Sequence, residues 1–161
     1  MTICPSYRWN GTRSMDPALY RETAACLAQE PVYAKGNRNV QFTVYQREDG
    51  CRDLYFIATD WHKPNPDGVG TLLLGAHAYE IPVPWGQTVK VVARPDCALY
   101  PLSDENEVIS LSGSTARVQG TGKATFVLCR EGKTHPVEVD FTTRCVQEIS
   151  LAPTPDLPLG E

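Results

Sequence analysis

From Asn39 onward, apolar side chains recur at every second position in short runs, each closed by glycine, proline, aspartate or asparagine. A period of two puts alternate side chains on opposite faces of an extended chain, so these runs predict half-buried strands. Val40, Phe42 and Val44 alternate with Gln41, Thr43 and Tyr45, Asp49-Gly50 supplies a turn, and Leu54-Tyr55-Phe56-Ile57-Ala58 follows as a more deeply buried strand. The stretch from Thr59 to Gly70 holds two prolines, two glycines and two aspartates and predicts a long loop, before a strand at Thr71-Leu72-Leu73-Leu74. Tyr79, Ile81 and Val83 lead into Pro84-Trp85-Gly86, and Val89, Val91 and Ala93 lead out, which predicts a second hairpin. Runs at 97–100, 108–111, 116–119, 124–129 and 136–141 complete the series, with Gly120-Thr121-Gly122 expected as a glycine-rich turn and Glu131-Gly132-Lys133 turning the last hairpin.

Strands at turn intervals of about 8–12 residues, with no helix between them, point to antiparallel pairing, because parallel neighbours need long crossovers. The expected fold is all-β: an antiparallel β-sandwich, immunoglobulin-like or jelly-roll-like, with one short N-terminal helix and extended termini. That helix is expected over 16–29. Asp16 is a good N-cap, Pro17 suits the first helical position, and Pro31 stops the run. Leu19, Tyr20, Thr23, Cys26 and Leu27 fall near one face, which would lie on the main body. The organisation expected is an irregular arm at 1–15, a single domain at 16–151, and a proline-rich arm at 152–161.

Several function classes are disfavoured. Fifteen basic against nineteen acidic side chains give a net charge of −4 with no basic stripe, so no nucleic-acid partner is expected. No run of apolar residues is long enough for a membrane span, and the opening residues show no apolar signal core, so neither membrane insertion nor export is expected. Cys4, Cys26, Cys51, Cys97, Cys129 and Cys145 include no Cys-x-x-Cys pair, and scattered thiols are expected to pack as small hydrophobes, with disulfide pairing left open. His62, His77 and His135 stand apart. Asp60, His62 and Asp67 share the long loop, but solvated loop residues are the simpler account, so no metal and no cofactor is expected. The Gly120-Thr121-Gly122-Lys123 stretch fails the phosphate-loop pattern, since Arg117 stands where its first glycine belongs and Ala124 where its Ser or Thr belongs. Gly113-Ser114 lacks a nucleophile elbow, and no catalytic residue is singled out.

The candidate contact residues are aromatic and proline side chains. Trp9, Trp61 and Trp85 fall in the arm, the long loop and a turn, where a rigid apolar surface is available to a partner. Pro153, Pro155 and Pro158 restrict the backbone of the C-terminal arm and lower the ordering cost of laying it across a neighbour.

The stretch Leu72-Leu73-Leu74-Gly75-Ala76-His77-Ala78-Tyr79-Glu80-Ile81-Pro82-Val83-Pro84-Trp85-Gly86-Gln87-Thr88-Val89-Lys90-Val91, followed by Ala98-Leu99-Tyr100, resembles the small β-sandwich accessory proteins of tailed-bacteriophage virions. Residues 107–151 resemble the closing strands of an immunoglobulin-like sandwich. The first resemblance implies a non-enzymatic capsid cement or decoration protein, made in the host cytoplasm and resident in the virion. Its partners would be the major capsid protein or other virion subunits, and its working form a homo-oligomer, with a trimer as one form. The alternative is a carbohydrate-binding β-sandwich using Trp61, Trp85, Asp60 and His62. Fold alone does not choose between them.

Overall fold

The structure, a computed structural model, describes residues 32–35, 40–58 and 68–152. Ten strands are arranged in two antiparallel sheets, and no helix occurs among the described residues. The all-β, antiparallel expectation is borne out. The helix expected over 16–29, the arms at 1–15 and beyond 152, and residues 59–67 of the expected loop lie outside the described residues; the last three residues of that loop, 68–70, instead open the strand Gly68–Leu74.

The small sheet has the order β1 (Val32–Lys35), β4 (Gly68–Leu74), β5 (His77–Val83). The large sheet runs β10 (Lys133–Ser150), β9 (Thr115–Arg130), β7 (Cys97–Pro101), β6 (Thr88–Ala93), β3 (Arg52–Ala58), β2 (Val40–Gln46), and β8 (Glu107–Ser112) pairs with the first part of β9. The inner face of the small sheet presents Val32, Ala34, Leu72, Leu74, Tyr79, Ile81 and Val83. These pack in one cluster with Val40, Leu54, Phe56, Val89, Val91, Ala98, Tyr100 and Cys129 of the large sheet. Gly70 leaves space there for the Phe56 ring, which a Cβ at that position would overlap.

A second core lies on the other face of the large sheet. Val92, Cys97, Leu99, Phe126 and Leu128 point away from the small sheet and meet Val108, Leu111, Ala116, Val118, Val139, Phe141 and Leu151. The first part of β9, with β8 and the end of β10, folds back over the large sheet and closes this core. Because β7 is covered on both faces, all five of its residues are buried. That explains why its sequence is continuously apolar instead of alternating.

The fold-back occurs at Gly120-Thr121-Gly122, which is not the turn between strands that the sequence suggested. All three residues belong to the continuous strand β9, and the partner strand is irregular opposite them, between Phe141 and Cys145. A Cβ on Gly120 would run into Asn106 Oδ1 and the Phe141 ring, so glycine here permits close approach at a bend.

Two of the three predicted hairpins behave as expected. In the β2–β3 hairpin, Arg47 N–H donates to Cys51 O at 2.9 Å around Glu48-Asp49-Gly50, and Gly50 takes φ +80°. Arg130 and Lys133 flank a two-residue turn in which Glu131 and Gly132 both have positive φ, the geometry that matches strand twist in a hairpin. The third expectation is corrected. Pro84-Trp85-Gly86 closes a turn, with Gln87 N–H donating to Pro84 O at 3.1 Å, but β5 and β6 do not pair. The chain there crosses from the small sheet to the large one, because the apolar sides of both strands face the shared core.

Candidate functional site

The crossing at Pro84-Trp85-Gly86 carries the one candidate contact residue that falls among the described residues. Trp85 is 47% exposed, and the turn holding it is anchored by buried Val83 on one side and buried Val89 on the other. Trp9, Trp61, Pro153, Pro155 and Pro158 lie outside the described residues, as do Asp60, His62 and Asp67.

Next to this turn a groove of about 280 Å3 is lined by Pro84, Gln87, Tyr55, Lys90, Tyr100, Leu102, Glu107 and their neighbours. Strand register builds its floor. Tyr55 and Lys90 stand directly opposite each other in the β3–β6 pairing, so their side chains share a face. Lys90 Nζ reaches Glu107 Oε1 at 2.6 Å, tying β6 to the start of β8. The ring of Tyr45 meets that of Tyr55 edge-on, with centroids 5.7 Å apart and an interplanar angle of 83°. Tyr45 is about half exposed, so aromatic surface continues from the groove toward the edge of the large sheet. Burial pushes the Tyr100 hydroxyl up to about 12, and it stays a neutral phenol at physiological pH.

The turn over the groove is Ser103-Asp104-Glu105-Asn106, closed by Asn106 N–H donating to Ser103 O at 3.2 Å. The Asn106 side chain is buried, and its Oδ1 has no hydrogen-bond partner. It rests against the α-carbon of Gly120, where a weak C–H donor faces it.

Three thiols among the described residues are committed to packing. Burial raises the thiols of Cys51, Cys97 and Cys129, the last to about 12, which keeps them protonated and poorly nucleophilic. No disulfide joins the four described cysteines. No group of three or more potential metal ligands occurs among the described residues. Among those residues, too, no helix is long and apolar enough to cross a membrane.

The lining residues Tyr55, Lys90 and Glu107, and Tyr45 beside Tyr55, were not singled out in the sequence. Tyr45 stands at a polar position of an alternating strand, and nothing in the spacing of Lys90 and Glu107 shows that they meet. Comparison with protein-family models, with curated proteins and with solved structures found no match.

Proposed function

We propose that this protein is a non-enzymatic structural component of a virion, a capsid cement or decoration protein that clamps neighbouring capsid subunits through its loops and terminal arms. In this reading the body is a β-sandwich of immunoglobulin-like or jelly-roll-like type, working as a homo-oligomer on the particle surface. The observation that carries the reading is Trp85, a large aromatic side chain 47% exposed on a turn held between buried Val83 and buried Val89. An anchor held this way loses little freedom on contact, which is what a seam-covering protein needs. The resemblance of residues 72–100 to phage accessory proteins supports the same direction.

A second reading is favoured by the groove beside Trp85. Aromatic faces at Tyr45 and Tyr55 with the polar Gln87, Lys90 and Glu107 suit a sugar ring, as a carbohydrate-binding sandwich requires. One experiment separates the two. Purified protein is added to virus particles stripped of it, and occupancy is read by cosedimentation with wild type and Trp85→Ala, alongside a glycan array. Particle binding weakened by the substitution supports the cement reading. Failure to bind particles overturns it, and glycan binding lost in Trp85→Ala puts the second reading in its place.

A further inference from the structure

Strand β10 forms one border of the large sheet and pairs, among the described residues, with β9 alone. Its two halves, on either side of the irregularity between Phe141 and Cys145, treat that open border differently. In the first half, Lys133 and Arg130 flank a two-residue turn, so the odd-numbered residues of β10 turn their backbone groups toward β9 and the even-numbered ones face outward. Pro136 stands at one of those outward positions, where its missing N–H blunts the border against further pairing.

The second half has no such block. Leu151 N–H donates to Ser114 O at 2.7 Å, which again directs the odd positions toward β9. Residues 146, 148 and 150 therefore aim their N–H and C=O groups at the open border, Arg144 immediately precedes this paired stretch, and no proline occurs among residues 142–150. Cys145 and Ile149 pack toward the second core, Val146 and Glu148 stand exposed on the opposite face, and Arg144 is exposed at the end of the irregular segment, two residues from Val146. Val146 is 44% exposed, and neither Arg144 nor Glu148 has an ion-pair partner among the described residues.

We propose that this half of β10 pairs with the same strand of a second copy of this chain, antiparallel about a twofold axis through Val146. The charge pattern selects that partner and that register. With the axis at Val146, Arg144 stands opposite Glu148 of the second copy, Glu148 opposite Arg144 of the second copy, and the two Val146 side chains meet between them. Placing the axis at Arg144 or at Glu148 sets like charges opposite each other. Moving it one residue to either side sets Val146 against a charge and forms no ion pair. The even positions are the ones with outward backbone groups, so Val146 exchanges both hydrogen bonds with its own copy. The pairing continues the large sheet across two molecules and covers its open border.

This inference deepens the proposed assembly role by naming one surface of the homo-oligomer, and it rests on that reading for its purpose but not for its test. The test is sedimentation of the full chain over a concentration series, with Arg144→Glu, Glu148→Arg and the double swap. Wild type is expected to dimerise, each single reversal to weaken the dimer about tenfold, and the swap to restore it, because opposite charges meet again across the axis. Both side chains are exposed, so the circular dichroism of all three variants should match wild type. Should a variant fail to fold, amide exchange at Val146 and Glu148 of the wild type, expected to slow as concentration rises, gives an independent readout. A monomer at every concentration overturns the pairing, and so does a swap no better than the single reversals. A monomer that still coats stripped particles removes the pairing and leaves the proposed function standing. A dimer that never binds particles does the reverse.

Discussion

The hydroxyl of Tyr79 in β5 accepts a 2.8 Å hydrogen bond from the backbone N–H of Gly132, at the tip of the β9–β10 hairpin. This bond ties the small sheet to a hairpin that otherwise belongs to the large one. Tyr79 is otherwise buried in the first core, so only its hydroxyl reaches the hairpin. Replacing Tyr79 with Phe keeps the packing and removes the acceptor, and the expected loss is about 1 kcal/mol in urea unfolding. Because the hairpin tip is exposed and water can take over part of the bond, a loss above about 3 kcal/mol would contradict this account.

Gly120 is where β9 bends, and its α-carbon faces both Asn106 Oδ1 and the Phe141 ring. Gly120→Ala is expected to cost about 2 kcal/mol or more, since the added methyl must displace a buried side chain on each side. Gly70→Ala, which drives a methyl into the Phe56 ring, should cost a similar amount. Pairing Gly120→Ala with Phe141→Leu should recover part of the loss, and double-mutant unfolding curves check the coupling.

The buried thiols give a prediction in chemistry and another in pH. In the native protein at neutral pH, alkylating reagents should leave Cys51, Cys97 and Cys129 unmodified until the chain unfolds, with Cys145, half-buried, labelling first among the described cysteines. Peptide mapping by mass spectrometry reads this directly. Burial lifts Cys129 from 9.0 to about 12 and Tyr100 from 10.0 to about 12, so both stay protonated in the folded protein while the unfolded chain ionises earlier. The unfolded state then binds fewer protons than the native one. Their contribution is fully present below pH 9 and is lost as pH rises toward 12, and the melting temperature should fall across that window.

Asp49 titrates in the opposite sense. A hydrogen bond from Cys51 N–H to its Oδ1 at 3.0 Å, helped by the Arg47 guanidinium 3.0 Å from Oδ2, holds its carboxyl below the usual range. A depressed folded pKa contributes stability that is present above the unfolded value of 3.8 and is lost as pH falls through the folded one. Asp49→Asn should therefore be less stable than wild type at neutral pH, with the gap closing in acid below about pH 4. A gap unchanged at low pH would show that the carboxylate charge is not what matters. Arg47 also donates to Ile109 O at 2.6 Å, so Arg47→Ala should loosen β8 from the β2–β3 turn and speed amide exchange there.

Much of the strand content was legible from the sequence because period-two patterning is local. Residues 40–58 read directly as a hairpin, since Asp49-Gly50 supplies the positive φ that its turn requires. The turn at Pro84-Trp85-Gly86 was legible as a turn but not as a crossing between sheets. The local backbone is the same in either case, and only the placement of Ile81 and Val91 in one shared core distinguishes them. The candidate site was legible only at Trp85. Tyr45, Tyr55, Lys90 and Glu107 converge through register and fold-back, neither of which leaves a spacing in the chain.

Local physics in the chain decided that it would form short antiparallel strands, where the hairpins at Asp49-Gly50 and Glu131-Gly132 would turn, and that its central apolar run would be buried, because each depends on neighbours within a few residues. Tertiary packing decided that β9 stays continuous through Gly120-Thr121-Gly122 and bends there, that a second core forms on the far face of the large sheet, and that β10 lies at its border. Those outcomes depend on contacts such as Gly120 with Phe141 and Val92 with the second core, between residues far apart along the chain. No local pattern records which side of a bend will be covered, because an alternating strand offers an apolar face without specifying what packs against it.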